Sequence, residues 1–390
     1  MPTKEAAKRI FAGMKHELEN CYDVKSFLGT GAYGVVSAAE DRETGEKVAI
    51  KKILNAFHNS TDAKRTLREI KLMTTIDHPC ILTLKKIIKP PTYQAFDDIH
   101  LVTEFMDTDL HRIIASRQVL QDSHYQFFIW QICTALKYLH SAQIIHRDIK
   151  PSNILIKANC EIKICDFGLA RVQGPEQYSA DRLTPYVATR WYRAPEVMLG
   201  FDYYSEKLDM WSVGLILAEL LGRAPLLTGE NFLDQIKKIV MLLGNPSAED
   251  RSYIKSRKAL HFLDSLPSSN KVNWERLFPD ANPLALDLLD KLVVFNPHSR
   301  LSAAEALEHP YLAQFHDEQK EPVSKFVCDA DEFEELEILE PEDIKMHVFN
   351  TMREFYDDND DEFEIMVREH EEFIAAQEEM NGNEMIPIGD

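Results

Sequence analysis

The chain has 390 residues, enough for two or three units of ordinary domain size, and 45% are hydrophobic, which argues against wholesale disorder. Lys and Arg number 44 against 64 Asp and Glu, a net charge of −20 that argues against a nucleic-acid or anionic-membrane binder and for basic partners. Six cysteines, at 21, 80, 133, 160, 165 and 328, form no C-x-x-C pair, and with no secretory segment at the N-terminus they read as reduced thiols of an intracellular protein.

Residues 1–21 read as an N-terminal extension, a short polar helix or a loose end. From Tyr22 to about residue 105 the pattern is mostly strand: "YDVKSFLG", "GVVSAAED" and "EKVAIKKI" are short alternating or β-branched segments separated by turns, as in an antiparallel meander. One helix interrupts at 60–76, with Ser, Thr and Asp as cap candidates and Ala63, Leu67 and Ile70 near helical spacing. After residue 106 the pattern turns helical, first in the long apolar-periodic stretch 123–142 and later in "LDLLDKLVVF" and "SAAEALEHPYL". The most apolar stretch, "MWSVGLILAELL" (210–221), is shorter than the ~20 residues of a membrane span and predicts a buried helix. Strands first and helices second give an α+β class with a small β-rich lobe over 22–105 and a larger α-helical lobe over 106–313.

Residues 314–390 form an acidic extension. "PEDIKMHVFNTMREFY" opens on Pro341 and acidic residues, as a helix N-terminus does, and Ile344, Val348, Phe349, Met352 and Phe355 share a face. This helix is expected to pack on the body, at least to about residue 356. "FEIMVREHEEFIAAQ" repeats the pattern with Phe363, Met366, Val367, His370 and Ile374. The intervening Asp358, Asp360, Glu362 and Glu369 sit at Ca²⁺-loop offsets, but Phe363 stands where such a loop requires glycine, so a solvated acidic linker is the better reading.

"LGTGAYGVV" (28–36) is G-x-G-x-x-G followed by Val36. A dinucleotide site shares the glycines but leads into a helix, whereas here a strand follows. A glycine turn between strands can fold over a nucleotide and offer N–H groups to phosphate oxygens; a plain hairpin is the other reading. "VAIKK" (48–52) then sets Lys51 among apolar strand residues, where it needs an anionic partner, and Glu69 on the predicted helix can hold it. "IIHRDIKPSNILI" (144–156) and "IKICDFGLAR" (162–171) follow. Asp148 can orient or deprotonate a hydroxyl, Lys150 can neutralise a transferring phosphoryl group, and Asn153 and Asp166 are oxygen ligands suited to Mg²⁺. Loop Asp and Asn residues are often mere turn formers, but these motifs occur together and in order.

These motifs, closed by "APE" (194–196), resemble a eukaryotic protein kinase over roughly residues 22–313. The resemblance implies a bilobal protein-kinase fold, ATP and Mg²⁺ as cofactors, and the Ser/Thr class. It implies catalysis by Asp148 and Lys150, metal binding by Asn153 and Asp166, and nucleotide contacts from Gly29, Gly31, Gly34, Val36, Ala49, Lys51, Glu69, Thr103, Glu104, Met106 and Asp109. It also pairs Arg300 with Glu196 and sets Asp209 to brace the catalytic loop. A catalytically dead scaffold is the other class considered, but such chains usually lose the lysine, the catalytic Asp or the metal Asp, and all three stand here.

"RTLREIKLM", "DTDLHRII", "YVATRWYRAPEVMLG" and the run ending "FNPHSRL" are similar to the mitogen-activated protein kinases, nearly end to end to about residue 350. "RLTPYVATRWYRAPE" (182–196) holds Thr184 and Tyr186 one proline apart. Thr-Pro-Tyr is typical of the c-Jun N-terminal stress branch, while the surrounding segments look more like the extracellular-signal-regulated branch, so the branch stays open. The resemblance implies phosphorylation of both residues, with Arg68, Arg147 and Arg171 gathering phosphothreonine and Arg190 and Arg193 meeting phosphotyrosine. It implies substrate sites followed by proline, an upstream dual-specificity kinase, phosphatases, and basic docking peptides bound at Asp317, Glu321, Cys160 and His124, with Lys320 where the family has a second aspartate. The compartment expected is the cytoplasm, with the nucleus open as a second, and neither nucleic acid nor membrane is expected as a partner.

Overall fold

The computed structural model describes residues 3–31, 34–173, 189–200, 205–356, 362–370 and 372, and these divide into two units. The first gathers residues within 1–75, 83–105 and 336–390; the second gathers 76–82 and 106–335. Among the described residues no helix is long and apolar enough to cross a membrane.

In the first unit, helix α1 (Lys4–Glu17) starts at Thr3, whose hydroxyl accepts the Ala6 N–H. Strands β1 (Tyr22–Thr30), β2 (Gly34–Asp41) and β3 (Lys47–Ile53) follow as an antiparallel meander. Helix α2 (Ser60–Thr75) then interrupts, before β4 (Leu84–Ile87) and β5 (Ile99–Glu104). The α2 cap is Asn59, one residue before the Ser, Thr and Asp candidates: its side chain accepts from the N–H groups of Thr61 and Asp62. The sheet order is β1-β2-β3-β5-β4, so β5 pairs with β3 and pushes β4 to the edge. Alternation sends Val35, Ala39, Val48, Ile50 and Val102 to one face, where they pack with Ala7 and Met14 of α1 and with Leu18 just after it. Residues 3–21 therefore form a packed helix and turn, not a loose end.

The second unit carries β6 (Thr108–Asp109), α3 (Leu110–Ala115), α4 (Asp122–Ser141), β7 (Ile144–Ile145), β8 (Ile154–Ile156), β9 (Ile162–Ile164) and β10 (Arg171–Val172). It continues with α5 (Pro195–Met198), α6 (Lys207–Gly222), α7 (Phe232–Leu243), α8 (Arg257–Asp264), α9 (Trp274–Leu277), α10 (Pro283–Leu292) and α11 (Ala303–Leu307). Helix α6 is buried along nearly its whole length, as its unbroken apolar run predicts, and packs on α4 and α10. Helix α11 opens with a Ser302–Glu305 capping box and stops short of Pro310, so "SAAEALEHPYL" is a helix followed by a tight turn.

Helix α12 (Ala330–Ile338) precedes α13 (Pro341–Arg353). In α13, Ile344, Val348, Phe349 and Met352 are fully buried, and the helix packs on α2 in the first unit. Residues 362–370 form one more helical stretch. Its Phe363 is 2% exposed and packs edge-on against Phe349, so this residue serves a core, not a calcium loop. Asp358 and Asp360 lie outside the described residues.

Candidate active site

In the first unit the glycine-rich turn joins β1 to β2. Gly31 donates to the Gly34 carbonyl, and Gly29 faces Val36 beside a bulge in β1. A Cβ on Gly34 would sit 1.7 Å from the Lys52 carbonyl oxygen, so only glycine lets β2 start this close to β3. The register sets Val36 opposite Lys51, Lys51 opposite Leu101 and Ala49 opposite Thr103. By alternation Gly29, Val36, Ala49, Lys51 and Thr103 share the face turned away from α1. Apolar and small side chains thus surround the lysine on one side of the sheet. Lys51 Nζ lies 2.6 and 2.8 Å from the two carboxylate oxygens of Glu69 on α2, and the Glu69 side chain is 9% exposed. Thr103 is buried and Glu104 half-buried at the end of β5.

In the second unit Met106 is buried, and Asp109 caps α3, its side chain accepting the Arg112 N–H at 2.8 Å. The loop after β7 is built around Asp209 of α6, which is fully buried. Asp209 accepts the His146 and Arg147 N–H groups at 2.9 Å each, and its Oδ2 lies 3.0 Å from His140 Nε2. Burial alone would discourage its charge, but the bonds from His140 and His146 outweigh it and hold the carboxyl below its usual range. The brace lets Arg147 keep a left-handed backbone at φ 68°. His146 Nδ1 accepts the Asp148 N–H and Nε2 faces the Cys165 carbonyl at 3.1 Å, which fixes the proton on Nε2.

Asp148 is thereby aimed with three contacts on its own loop. Lys150 Nζ lies 2.6 Å from Oδ2, and Asn153 Nδ2 donates to both the Asp148 carbonyl and Oδ2, at 2.9 and 3.0 Å. Burial raises the Asp148 pKa, with Lys150 working against the rise. A carboxylate so placed can accept a proton from a hydroxyl. The β8–β9 hairpin pairs Ile154 with Ile164, and Cys165 N–H continues the ladder to the Asn153 carbonyl. Asn153 and Asp166 therefore emerge at one end of the hairpin, Asp166 in a left-handed conformation at φ 70° above a fully buried Phe167. Two oxygen donors, one of them a carboxylate, suit Mg²⁺, which completes its shell with water and phosphate oxygens.

Glu196 and Arg300 form a fully buried two-pronged pair at 2.8 and 3.0 Å, and Arg300 spends its other N–H groups on the Val294 and Lys207 carbonyls. Tyr192 is held to α6 at both ends: its carbonyl accepts from Ser212 and its hydroxyl donates to Glu219. Thr184 and Tyr186 lie outside the described residues. Of the five arginines assigned to them, Arg68 is buried in α2. Arg171 in β10 faces Ile145, two residues before Arg147, so these two approach one end of the β7–β10 ladder. Arg190 donates to the Glu230 carbonyl at 3.2 Å, and Arg193 follows it by three residues.

Glu321 is 2% exposed and faces inward: it accepts from Trp130 Nε1 at 2.8 Å and from the Asp317 N–H at 3.1 Å, and it pairs with His316 at 3.0 Å. Glu321 thus organises the turn from inside, while the Asp317 side chain is 37% exposed. Asp317 in turn lies 3.0 Å from Lys320. His124 caps α4 through its Nδ1, and Cys160 occupies a tight turn at φ 68°, both half-buried. Sequence reasoning missed His140, whose only signal is its place in the last turn of α4, directly before β7. It also missed Ser212 and Glu219, which the α6 pattern hides as two polar residues in an apolar run.

A protein kinase domain model matches residues 22–312. The mitogen-activated protein kinase homolog NTF6 of Nicotiana tabacum is 47% identical over 331 residues, covering 84% of this chain and 87% of that protein. Mitogen-activated protein kinase 5 of Oryza sativa subsp. indica is 45% identical over 339 residues, 87% of this chain and 90% of the relative. Extracellular signal-regulated kinase 1 of Dictyostelium discoideum is 48% identical over 311 residues, 80% of this chain and 58% of that protein.

Proposed function

This chain belongs to the mitogen-activated protein kinase family of serine/threonine protein kinases, and from that premise we propose that it moves the γ-phosphate of ATP to Ser or Thr followed by Pro, under control of phosphate on Thr184 and Tyr186. The observation that carries the reading is the Asp148–Lys150–Asn153 constellation, a carboxylate oriented by two donors within 3.0 Å. Asp148 takes the proton of the attacking hydroxyl as the new P–O bond forms and the bond to ADP breaks. Lys150 offsets charge on the transferring group, and Lys51, steadied by Glu69, holds the non-transferring phosphates. Asn153 and Asp166 would hold Mg²⁺, which supplies charge neutralisation on the phosphates when bound.

In this reading phosphothreonine 184 is taken by Arg68, Arg147 and Arg171, and phosphotyrosine 186 by Arg190 and Arg193. The signal comes from an upstream dual-specificity kinase and is removed by phosphatases. Basic docking segments of partners meet Asp317, His124 and Cys160. The working compartment in this proposal is the cytoplasm, with the nucleus second. The test uses protein phosphorylated by a dual-specificity kinase and verified by mass spectrometry, assayed on paired Ser-Pro and Ser-Ala peptides. Turnover of the Ser-Pro peptide only, lost in Thr184→Ala and in Tyr186→Phe, is expected. Full activity of the unmodified protein, or equal use of both peptides, contradicts the proposal.

A further inference from the structure

β3 carries two lysines in succession, and each is claimed by a different helix. Lys51 reaches Glu69 on α2. Lys52 points to the other face, where it is 5% exposed and meets Glu17, in the last turn of α1, at 2.6 and 2.8 Å. Asp98, at the start of β5, adds a second carboxylate 3.1 Å away. Glu17 also lies 3.3 Å from His100 Nε2, and His100 is the residue directly opposite Lys52 in the β3–β5 ladder. One carboxylate thus clips both members of a cross-strand pair. The next pair along the same ladder is Lys51 and Leu101. Around the clip, Ala7 and Met14 of α1, with Leu18 just after it, pack with Val35, Val48 and Ile50.

We propose that Glu17 and Lys52 are positioning residues for Lys51: α1, through this clip, sets where β3 presents the lysine that meets ATP. The inference rests on the reading that Lys51 contacts the nucleotide phosphates. Removing the Glu17 charge has two opposing effects. Electrostatically, an uncompensated Lys52 would favour a phosphate. That charge lies behind the sheet, however, on the face opposite Lys51, where distance weakens it and Asp98 still offsets part of it. Geometrically, a buried ammonium must keep an anion, and with Glu17 gone only Asp98 remains. Lys52 is then drawn toward Asp98 alone, and the strand segment shared with Lys51 loses its tie to α1. A direct contact depends steeply on position, so the geometric effect wins and nucleotide binding weakens.

The test measures the Kd of Mg-ADP by calorimetry, and the Tm without nucleotide, for the wild type, Glu17→Gln, Lys51→Met and Ala7→Gly. Glu17→Gln removes the charge of the clip; Ala7→Gly loosens α1 without touching it. We expect Glu17→Gln to weaken Mg-ADP binding by about three- to tenfold, the range for coupling through a packed network, with Ala7→Gly lowering Tm but leaving Kd unchanged. If Glu17→Gln does not fold, Lys52→Arg, which keeps the charge and alters its reach, is expected to weaken binding in the same way. Unchanged or tighter Mg-ADP binding in the clip variant overturns the inference, as does an equal loss in Ala7→Gly. Lys51→Met separates the two readings. If it binds Mg-ADP like the wild type, the role of Lys51 itself falls; if it alone weakens binding, only the clip falls.

Discussion

His78 lies just after α2, 2% exposed, its ring 5.0 Å from that of Tyr138 and its Nδ1 accepting the Cys80 N–H at 3.1 Å. Burial pushes its pKa from 6.5 down to about 4. The unfolded chain therefore binds a proton near pH 6.5 that the folded chain refuses until about pH 4. Stability from a neutral His78 is fully present above pH 6.5 and is lost as pH falls toward 4, by up to about 3 kcal/mol. His78→Asn keeps an acceptor for Cys80 but cannot titrate, so its Tm should fall less steeply between those limits than that of the wild type. Parallel Tm curves would show that His78 does not set this slope. Glu196 and Arg300 present the opposite situation, a buried charge pair with every donor used. Glu196→Gln leaves Arg300 charged without a counterion, and a loss of about 3–5 kcal/mol is expected in denaturant unfolding. A loss within 1 kcal/mol would mean that the carbonyls of Val294 and Lys207 suffice to hold Arg300.

At the scale of elements, α13 and the helical stretch 362–370 are structural parts of the first unit. Phe349 of α13 is fully buried, with ring centroids of Tyr93, Phe363 and Phe96 at 5.1, 5.5 and 6.1 Å. Phe349→Ala should cost about 3–5 kcal/mol, read as a lowered denaturation midpoint, and a change below 1 kcal/mol would show that α13 is dispensable to this core. Helical spacing predicts the buried faces of α2, α4 and α13, because side chains at i, i+3 and i+4 reveal a face without knowledge of its partner, and the apolar run of α6 predicts burial all round. The catalytic loop was legible for another reason: Asp148, Lys150, Asn153 and Asp166 stand close in sequence in an order tied to one chemistry. What the sequence hid were contacts between distant positions. Tyr356 accepts the Lys89 N–H and donates to the Ile87 carbonyl across 267 and 269 residues. No local pattern signals that pairing, nor the clip from Glu17 to Lys52, nor the inward turn of Glu321. Glu321 is assigned by its match to the family's acidic docking patch, and its burial against the Trp130 indole, His316 and the Asp317 N–H is visible only in the structure.

For the whole molecule, a net charge of −20 draws basic segments from a distance, but affinity depends on the local patch. Asp317 is already paired with Lys320, which holds its carboxyl below the usual range. Lys320→Asp should therefore strengthen binding of a basic docking peptide, by up to about fivefold at low salt and less at high salt, as measured by calorimetry. Weaker binding in that variant would show that docking does not use Asp317. Phosphoryl transfer is also a property of the whole chain, since Lys51 and Asp148 belong to different units. It is tested most directly by following the γ-phosphate of labelled ATP into a Ser-Pro peptide, with doubly phosphorylated wild type beside doubly phosphorylated Asp148→Asn. Asparagine keeps an oxygen to accept from Lys150 and Asn153 but cannot take the hydroxyl proton. The account expects an unchanged Tm and a kcat reduced by about 10²–10⁴-fold. Turnover by Asp148→Asn at the wild-type rate would contradict it.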